Sequence, residues 1–301
     1  MLTRVRQGNG YPDSLTIIKE IGSGSNNRVY RAINEEGDMV AIRVPKRKSD
    51  TEKANFALRE FKHTLIASRL GVAPVLYDAW YNRHAKKNQK AGLYFIQEHY
   101  PCDMLTALSE YYETIIEKKE MIADKIGKIV KTLADSELLC YDLKPGNIVV
   151  NLESDIDLKF IDFGNEFCEY SHKVDDTEKN PVTNFAKKLS KSFAGKHKLS
   201  LQEVQKHLLY CLMIIILSSV TTYTICESKT KLRMNKIERG KINVTKTLAN
   251  NILDNTRGDF IKLLKELMRQ DDIKEIFRHY LGRRNAGTRR VFRLARGIEL
   301  N

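Results

Sequence analysis

The sequence predicts an α+β fold in two lobes: a small β-rich lobe over residues 1–100 and a larger, mainly helical lobe over 101–301. Three observations predict it. The chain has 301 residues, enough to bury a large core. Before residue 100 come short runs rich in β-branched and aromatic residues, bounded by Gly, Asn or Pro. After it, apolar residues recur at helical spacing.

The strand-like runs are LTIIKEIG (15–22), NRVYRAIN (27–34), MVAIRVP (39–45) and GLYFIQEHY (92–100). One helix interrupts them. From Thr51 to Leu70 the apolar positions Phe56, Leu58, Phe61, Leu65, Ile66 and Leu70 fall near helical spacing, and Gly71 is a stop signal. In the second half Ile122, Ile126, Ile129, Val130 and Leu133 mark one amphipathic face. A polar loop, CYDLKPGNIVV (140–150), then leads into two short strands, NIVVN and LKFIDF. Helices fill the remainder. Residues 208–225 carry no charge over eighteen positions, the short edge of membrane-spanning length. Their second half holds Ser218, Ser219, Thr221, Thr222 and Thr224, so the segment reads as a buried core helix rather than a span.

A net charge of +13 points to anionic partners. The five cysteines are scattered and none forms Cys-x-x-Cys. That speaks for a reducing compartment, and against a disulfide framework and a zinc site. The first residues, MLTRVRQGNGYPDS, contain no apolar core of a signal peptide.

Five features carry chemistry. In IGSGSNNRVY (21–30), Gly22 and Gly24 let backbone approach a ligand, and free amides in such a turn suit phosphate oxygens. Alone, the same stretch is a plain hairpin loop. In VAIRV (40–44), Arg43 puts a permanent charge in an apolar strand; alone, it is an edge-strand Arg in solvent. Glu60 on the interrupting helix is by default a solvated acid. The loop at 140–150 packs Asp142, Lys144 and Asn147 into six residues. In FIDFG (160–164), Asp162 follows two apolar residues at a strand end and alone reads as the start of a β-turn.

In this order the features are specific. From about Leu15 to Gly164 the chain resembles the eukaryotic-type serine/threonine protein kinases. The resemblance implies a two-lobed kinase-like fold that uses ATP and magnesium. It implies that the backbone of Gly22 to Asn27 covers the nucleotide phosphates and that Val29 and Ala41 wall the adenine pocket. Gln97 would be the gatekeeper of a hinge, YFIQEHY, whose backbone at Glu98 and Tyr100 bonds adenine; Asp103 is a weaker candidate for the ribose. Arg43 and Glu60 take the places of the phosphate-bridging cation and its helical acid. Asp142 would accept the proton of the attacking hydroxyl, and Lys144 would stabilise the transferred group. Asn147 and Asp162 would hold magnesium, a hard cation that prefers oxygen ligands. The form Asp-Leu-Lys-Pro-Gly-Asn looks like the serine/threonine branch.

The chain also departs from the pattern. Arg43 stands where the family has a lysine, and the two are not interchangeable. Lys46 lies past Pro45, where strand alternation aims it at the other face. Asn27 replaces the third glycine, and Cys140-Tyr141 replaces the usual His-Arg. After Gly164 the only proline is Pro181, so there is no Ala-Pro-Glu; the only tryptophan is Trp80. Such a stripped second lobe looks like divergent kinases of large DNA viruses or intracellular pathogens. The resemblance thus implies an intracellular protein, in the cytoplasm or nucleus of a host cell or in a virion, acting on a protein substrate. Two other readings stay open: a pseudokinase binding module, from Arg43, and a kinase for a non-protein acceptor, from the missing Ala-Pro-Glu. The seven arginines between Arg278 and Arg296 read as a solvated basic face or as a weak contact for anionic polymers. A membrane partner is not expected, and the sequence sets no oligomeric state.

Overall fold

The computed structural model describes residues 6–7, 15–24, 27–46, 51–82, 91–140, 143–153, 155–164, 168–170 and Met213. Asp142, the basic stretch 278–296, the segment around Pro181 and all of 208–225 except the buried Met213 lie outside them. The chain divides into two compact units. The first holds Met1–Cys102 with Val149–Asn151 and Lys159–Glu166; the second holds Asp103–Ile148, Leu152–Leu158 and Phe167–Asn301.

The first unit is built on a six-stranded sheet. Its strands are β1 (Arg6–Gln7), β2 (Thr16–Ser23), β3 (Asn27–Ile33), β4 (Met39–Pro45), β5 (Leu76–Asn82) and β6 (Gly92–Glu98), in the order β1-β5-β6-β4-β3-β2. Only β1 runs parallel to its neighbour. Period-two alternation sorts the side chains onto two faces. Val40, Ile42 and Val44 of β4 join Ala32, Trp80, Tyr94 and Ile96 in one apolar layer, in which Trp80 and Tyr94 stack at 5.1 Å. The intervening Ala41 and Arg43 face the other way, where α1 (Thr51–Arg69) brings Phe61 and Leu65 against Leu76, Ala79, Leu93 and Phe95.

Two details differ from the expected pattern. The strand β5 (sequence LYDAWYN) did not read as one, because Asp78 and Ala79 break its run and a register shift falls between Leu76 and Asp78. Leu58 of α1 and Leu70 just past its end are exposed, whereas His63, Thr64 and Ala67 are buried. Glu60, His63, Thr64 and Ala67 follow the i, i+3, i+4, i+7 rule, so the helix turns a partly polar stripe inward. Gly71, at φ +71°, takes up the left-handed turn that follows the helix.

The second unit contains α2 (Met104–Glu110), α3 (Tyr112–Glu117), α4 (Lys119–Asp135) and β8 (Leu138–Cys140). The expected face of α4, Ile122, Ile126, Ile129, Val130 and Leu133, is buried, and α4 packs on β8 and α3. The short strands β7 (Cys102–Asp103), β9 (Ile148–Asn151) and β10 (Asp157–Phe160) form a sheet ordered β10-β9-β7, and β11 (Cys168–Tyr170) pairs with β8. No helix among the described residues is long and apolar enough to cross a membrane.

One glycine is sterically required. Gly92 sits at φ +145°, and a Cβ there would lie 2.8 Å from Cγ of Pro45, a ring atom that cannot swing away. Gly92→Ala should destabilise the protein by about 2 kcal/mol or more. Urea unfolding of the two proteins, compared by midpoint, checks this.

Candidate functional site

The sheet register brings several of the expected site residues into rows. Gly22 pairs with Val29, Val29 with Arg43, and Arg43 with Phe95. The next row runs through Arg31, Ala41 and Gln97. Directly paired residues share a face, so Val29, Ala41, Arg43 and Gln97 lie together on the side that carries α1. The β2–β3 turn is closed by Gly24 N–H donating to the Asn27 carbonyl at 2.9 Å. The Lys46 ammonium donates to the Gly24 carbonyl from the far end of β4. The expected alternation gave no hint of that tie to the Gly-rich turn.

Arg43 is the centre of the constellation. Its guanidinium forms an ion pair with Glu60 of α1, and both side chains are only 15% exposed. The same fork comes within 3.8 Å of the Asp162 carboxylate, which is 46% exposed. Its Cζ also lies 5.5 Å from the centroid of Phe95, close enough for a cation–π contact. Burial acts most strongly and would lower the pKa of Arg43, but Glu60 and then Asp162 outweigh it and raise the pKa above its usual value. The charge is therefore permanent.

Asp162 is held from two sides. The Phe160 N–H donates to the Val72 carbonyl at 2.8 Å, and the Lys159 ammonium donates to the Gly71 carbonyl at 2.9 Å. Both bonds fasten the end of β10 to the turn after α1. Asp162 itself adopts φ +67°, which non-glycine residues rarely do and which recurs at functional sites. His63, one turn beyond Glu60, hydrogen-bonds the backbone of Phe163. Sequence reading missed His63; its only signal was the i, i+3 spacing from Glu60.

At the end of β6, Glu98 is tied down twice. Its N–H donates to the Val75 carbonyl at 2.8 Å, and its carboxylate accepts from the Val75 N–H at 3.0 Å. Tyr100 is buried at 7% exposure. Asp103 caps α2 by accepting from the Thr106 N–H at 2.6 Å, which accounts for that residue without a ligand.

In the second unit, Lys144 is extended and precedes a single 3-10 turn, Pro145–Asn147. Pro145 suits the first position, where an N–H has no partner within the turn. Asn147 N–H closes back on the Lys144 carbonyl at 2.9 Å, and the Asn147 side chain is buried.

This succession of a Gly-rich hairpin, a strand cation paired with a helical acid and a strained strand-end Asp coincides with a family match. Residues 15–276 match the model of the protein kinase domain. The chain belongs to the protein kinase family. It is also similar to cyclin-dependent kinase F-4 of Oryza sativa subsp. japonica, with 28% identity over 156 residues. That stretch is 50% of this chain and 31% of the rice protein, so the chain spans under a third of that relative's length. The kinase family's two-lobed fold agrees with the strand-rich sheet and the helices described above.

Two measurements test this geometry. Arg43→Met removes the charge facing Glu60 in a largely buried pair, so stability should fall by roughly 3 kcal/mol, and by much less in Arg43→Lys. Burial, partly offset by the Phe163 backbone bond and reinforced by Arg59 and Lys62, holds the His63 pKa below its usual value. The fold therefore favours the neutral imidazole. Stability is full above the ordinary imidazole pKa and falls as pH drops below it, until the folded-state pKa is passed. Urea unfolding at pH 7.5 and 5.5 should show a smaller acid loss in His63→Gln than in the parent.

Proposed function

We propose that this kinase-family protein transfers the γ-phosphoryl group of ATP to serine or threonine hydroxyls of protein substrates. The observation that carries the reading is the joining of Arg43, Glu60 and Asp162 on one face of one unit. A buried cation bridging two acids from separate elements is costly to assemble unless the arrangement is used. Its place beside the Gly22–Asn27 turn suits triphosphate.

In this reading the Gly-rich turn lies over the phosphates, Arg43 donates to their oxygens, and Val29, Ala41 and Gln97 line the adenine pocket. The Glu98 carbonyl and the Tyr100 backbone meet the base. Asp142 takes the proton as the hydroxyl oxygen bonds to the γ-phosphorus and the bond to the β–γ bridging oxygen breaks, leaving ADP. Lys144 steadies the charge on the transferred group. The carboxylate of Asp162 and the amide of Asn147 are oxygen donors that fit magnesium, which when bound would neutralise phosphate charge. The Asp-Leu-Lys-Pro-Gly-Asn loop supports serine/threonine acceptors. The Tyr-Asp-Leu-Lys loop and the missing Ala-Pro-Glu support a divergent member of the kind found in large DNA viruses or intracellular pathogens.

The test is transfer of labelled phosphate from ATP to a panel of acidic and basic proteins. Asp142→Asn should abolish transfer and spare ATP binding. Arg43→Lys should keep or raise turnover, because small displacements of reacting groups cost up to roughly a hundredfold in rate and lysine restores the family's compact cation. Equal residual transfer in the parent and Asp142→Asn would show that the chain is not an active kinase. Tyr141 cannot form the ion pair by which the usual Arg orders a phosphorylated segment. Phosphatase treatment, followed by removal of the phosphatase, should therefore leave the rate essentially unchanged.

A further inference from the structure

A second charged site lies on the face of Arg43, one row further along the sheet beside Ala41 and Gln97. Lys19 of β2 and Arg31 of β3 are direct cross-strand partners, and like charges so placed repel. No carboxylate among the described residues forms an ion pair with either one. The strand acid next to Lys19 in sequence, Glu20, pairs across to Tyr30 on the opposite face and lies 3.9 Å from Arg28. Nε of Arg31 is buried with no hydrogen-bond partner. His99 faces the same two cations: burial, then Arg31 and Lys19, hold its pKa below the usual value. Three nitrogen-bearing groups from β2, β3 and the segment after β6 thus converge without a described counter-charge.

We infer that Lys19, Arg31 and His99 form a binding site for a phosphate group. A guanidinium presents paired donors that match phosphate oxygens, and an ammonium across the strand adds a second charge. A dianion removes the Lys19–Arg31 repulsion and gives the buried Nε an acceptor. It also offsets the positive field of Arg31 and Lys19 at His99, which makes the imidazole a reporter of binding. Two bulges in β2, between Ile17 and Lys19 and between Glu20 and Gly22, keep Lys19 on the face of Arg31. The inference does not need the phosphoryl-transfer reading, since it uses neither Arg43 nor the Gly-rich turn.

The test uses the whole chain at pH 7 and constant ionic strength. The ring signals of His99, assigned by their loss in His99→Gln, are followed by NMR during titration with inorganic phosphate. A parallel titration uses an otherwise uncharged phosphoserine peptide. Saturable shifts in the millimolar range are expected in at least one arm. The arm that binds tells free phosphate from a phosphate carried on polypeptide. Arg31→Gln should weaken binding by roughly fivefold or more, the scale of one exposed charge pair. Lys19→Gln, on an exposed side chain that cannot disturb the fold much, should weaken it in the same direction. A linear drift in both arms, or the same curve in all three proteins, overturns the site. A chain that fails to bind ATP but shows these shifts loses the kinase reading and keeps the site.

Discussion

The ion pair between Arg43 and Glu60 is the constraint on which the first unit depends. Arg43 is locked in the middle of β4 by pairing on both sides, so its guanidinium can reach only what the α1 face supplies. A charge this buried is tolerated only with a partner held in good geometry. The partner fixes the rotation of α1, because Glu60 must point at the sheet. Once Glu60 is inward, helical spacing also brings His63, Thr64 and Ala67 inward, and they are buried. The ion pair and the packing of Phe61 and Leu65 on the sheet together set the polar stripe on α1.

That rotation explains why the helix was only half legible. The apolar spacing counted Leu58 and Leu70 together with Phe61 and Leu65. Leu58 and Leu70 are exposed because the pair claims the stripe for Glu60. The strands around Arg43 read correctly for the opposite reason: Val40, Ile42 and Val44 alternate without interruption against Ala41 and Arg43. In β5 the acid Asp78 sits inside the strand, where its carboxylate accepts from the neighbouring Ala79 N–H at 2.8 Å, a local bond that no periodicity reveals. Motif order supplied the candidate residues, but contacts such as Lys46 with Gly24 and His63 with Phe163 join positions 22 and 100 residues apart in the chain. Pairings at that separation are set by tertiary structure and leave no mark on local pattern.

Arginine in place of lysine is then not a simple exchange. A compact ammonium meets one or two acceptors at a point, whereas the guanidinium fork spreads over an edge. Here one end of that edge meets Glu60 and the other approaches Asp162. The planar group also lies over Phe95, whose ring in turn sits 6.3 Å from that of Phe61 on α1. The apolar contact between helix and sheet and the polar contact between helix and strand end therefore share one side chain.

The strand-end turn is the other half of that coupling. Asp162 holds a left-handed backbone conformation, which costs roughly 1–3 kcal/mol unless its surroundings over-determine it. The surroundings come from the α1 region at three points: Val72 and Gly71 in the turn after the helix, and His63 within it. Arg43 adds a fourth hold from the sheet. The strained conformation, the helix rotation and the buried cation are thus one interlocked arrangement.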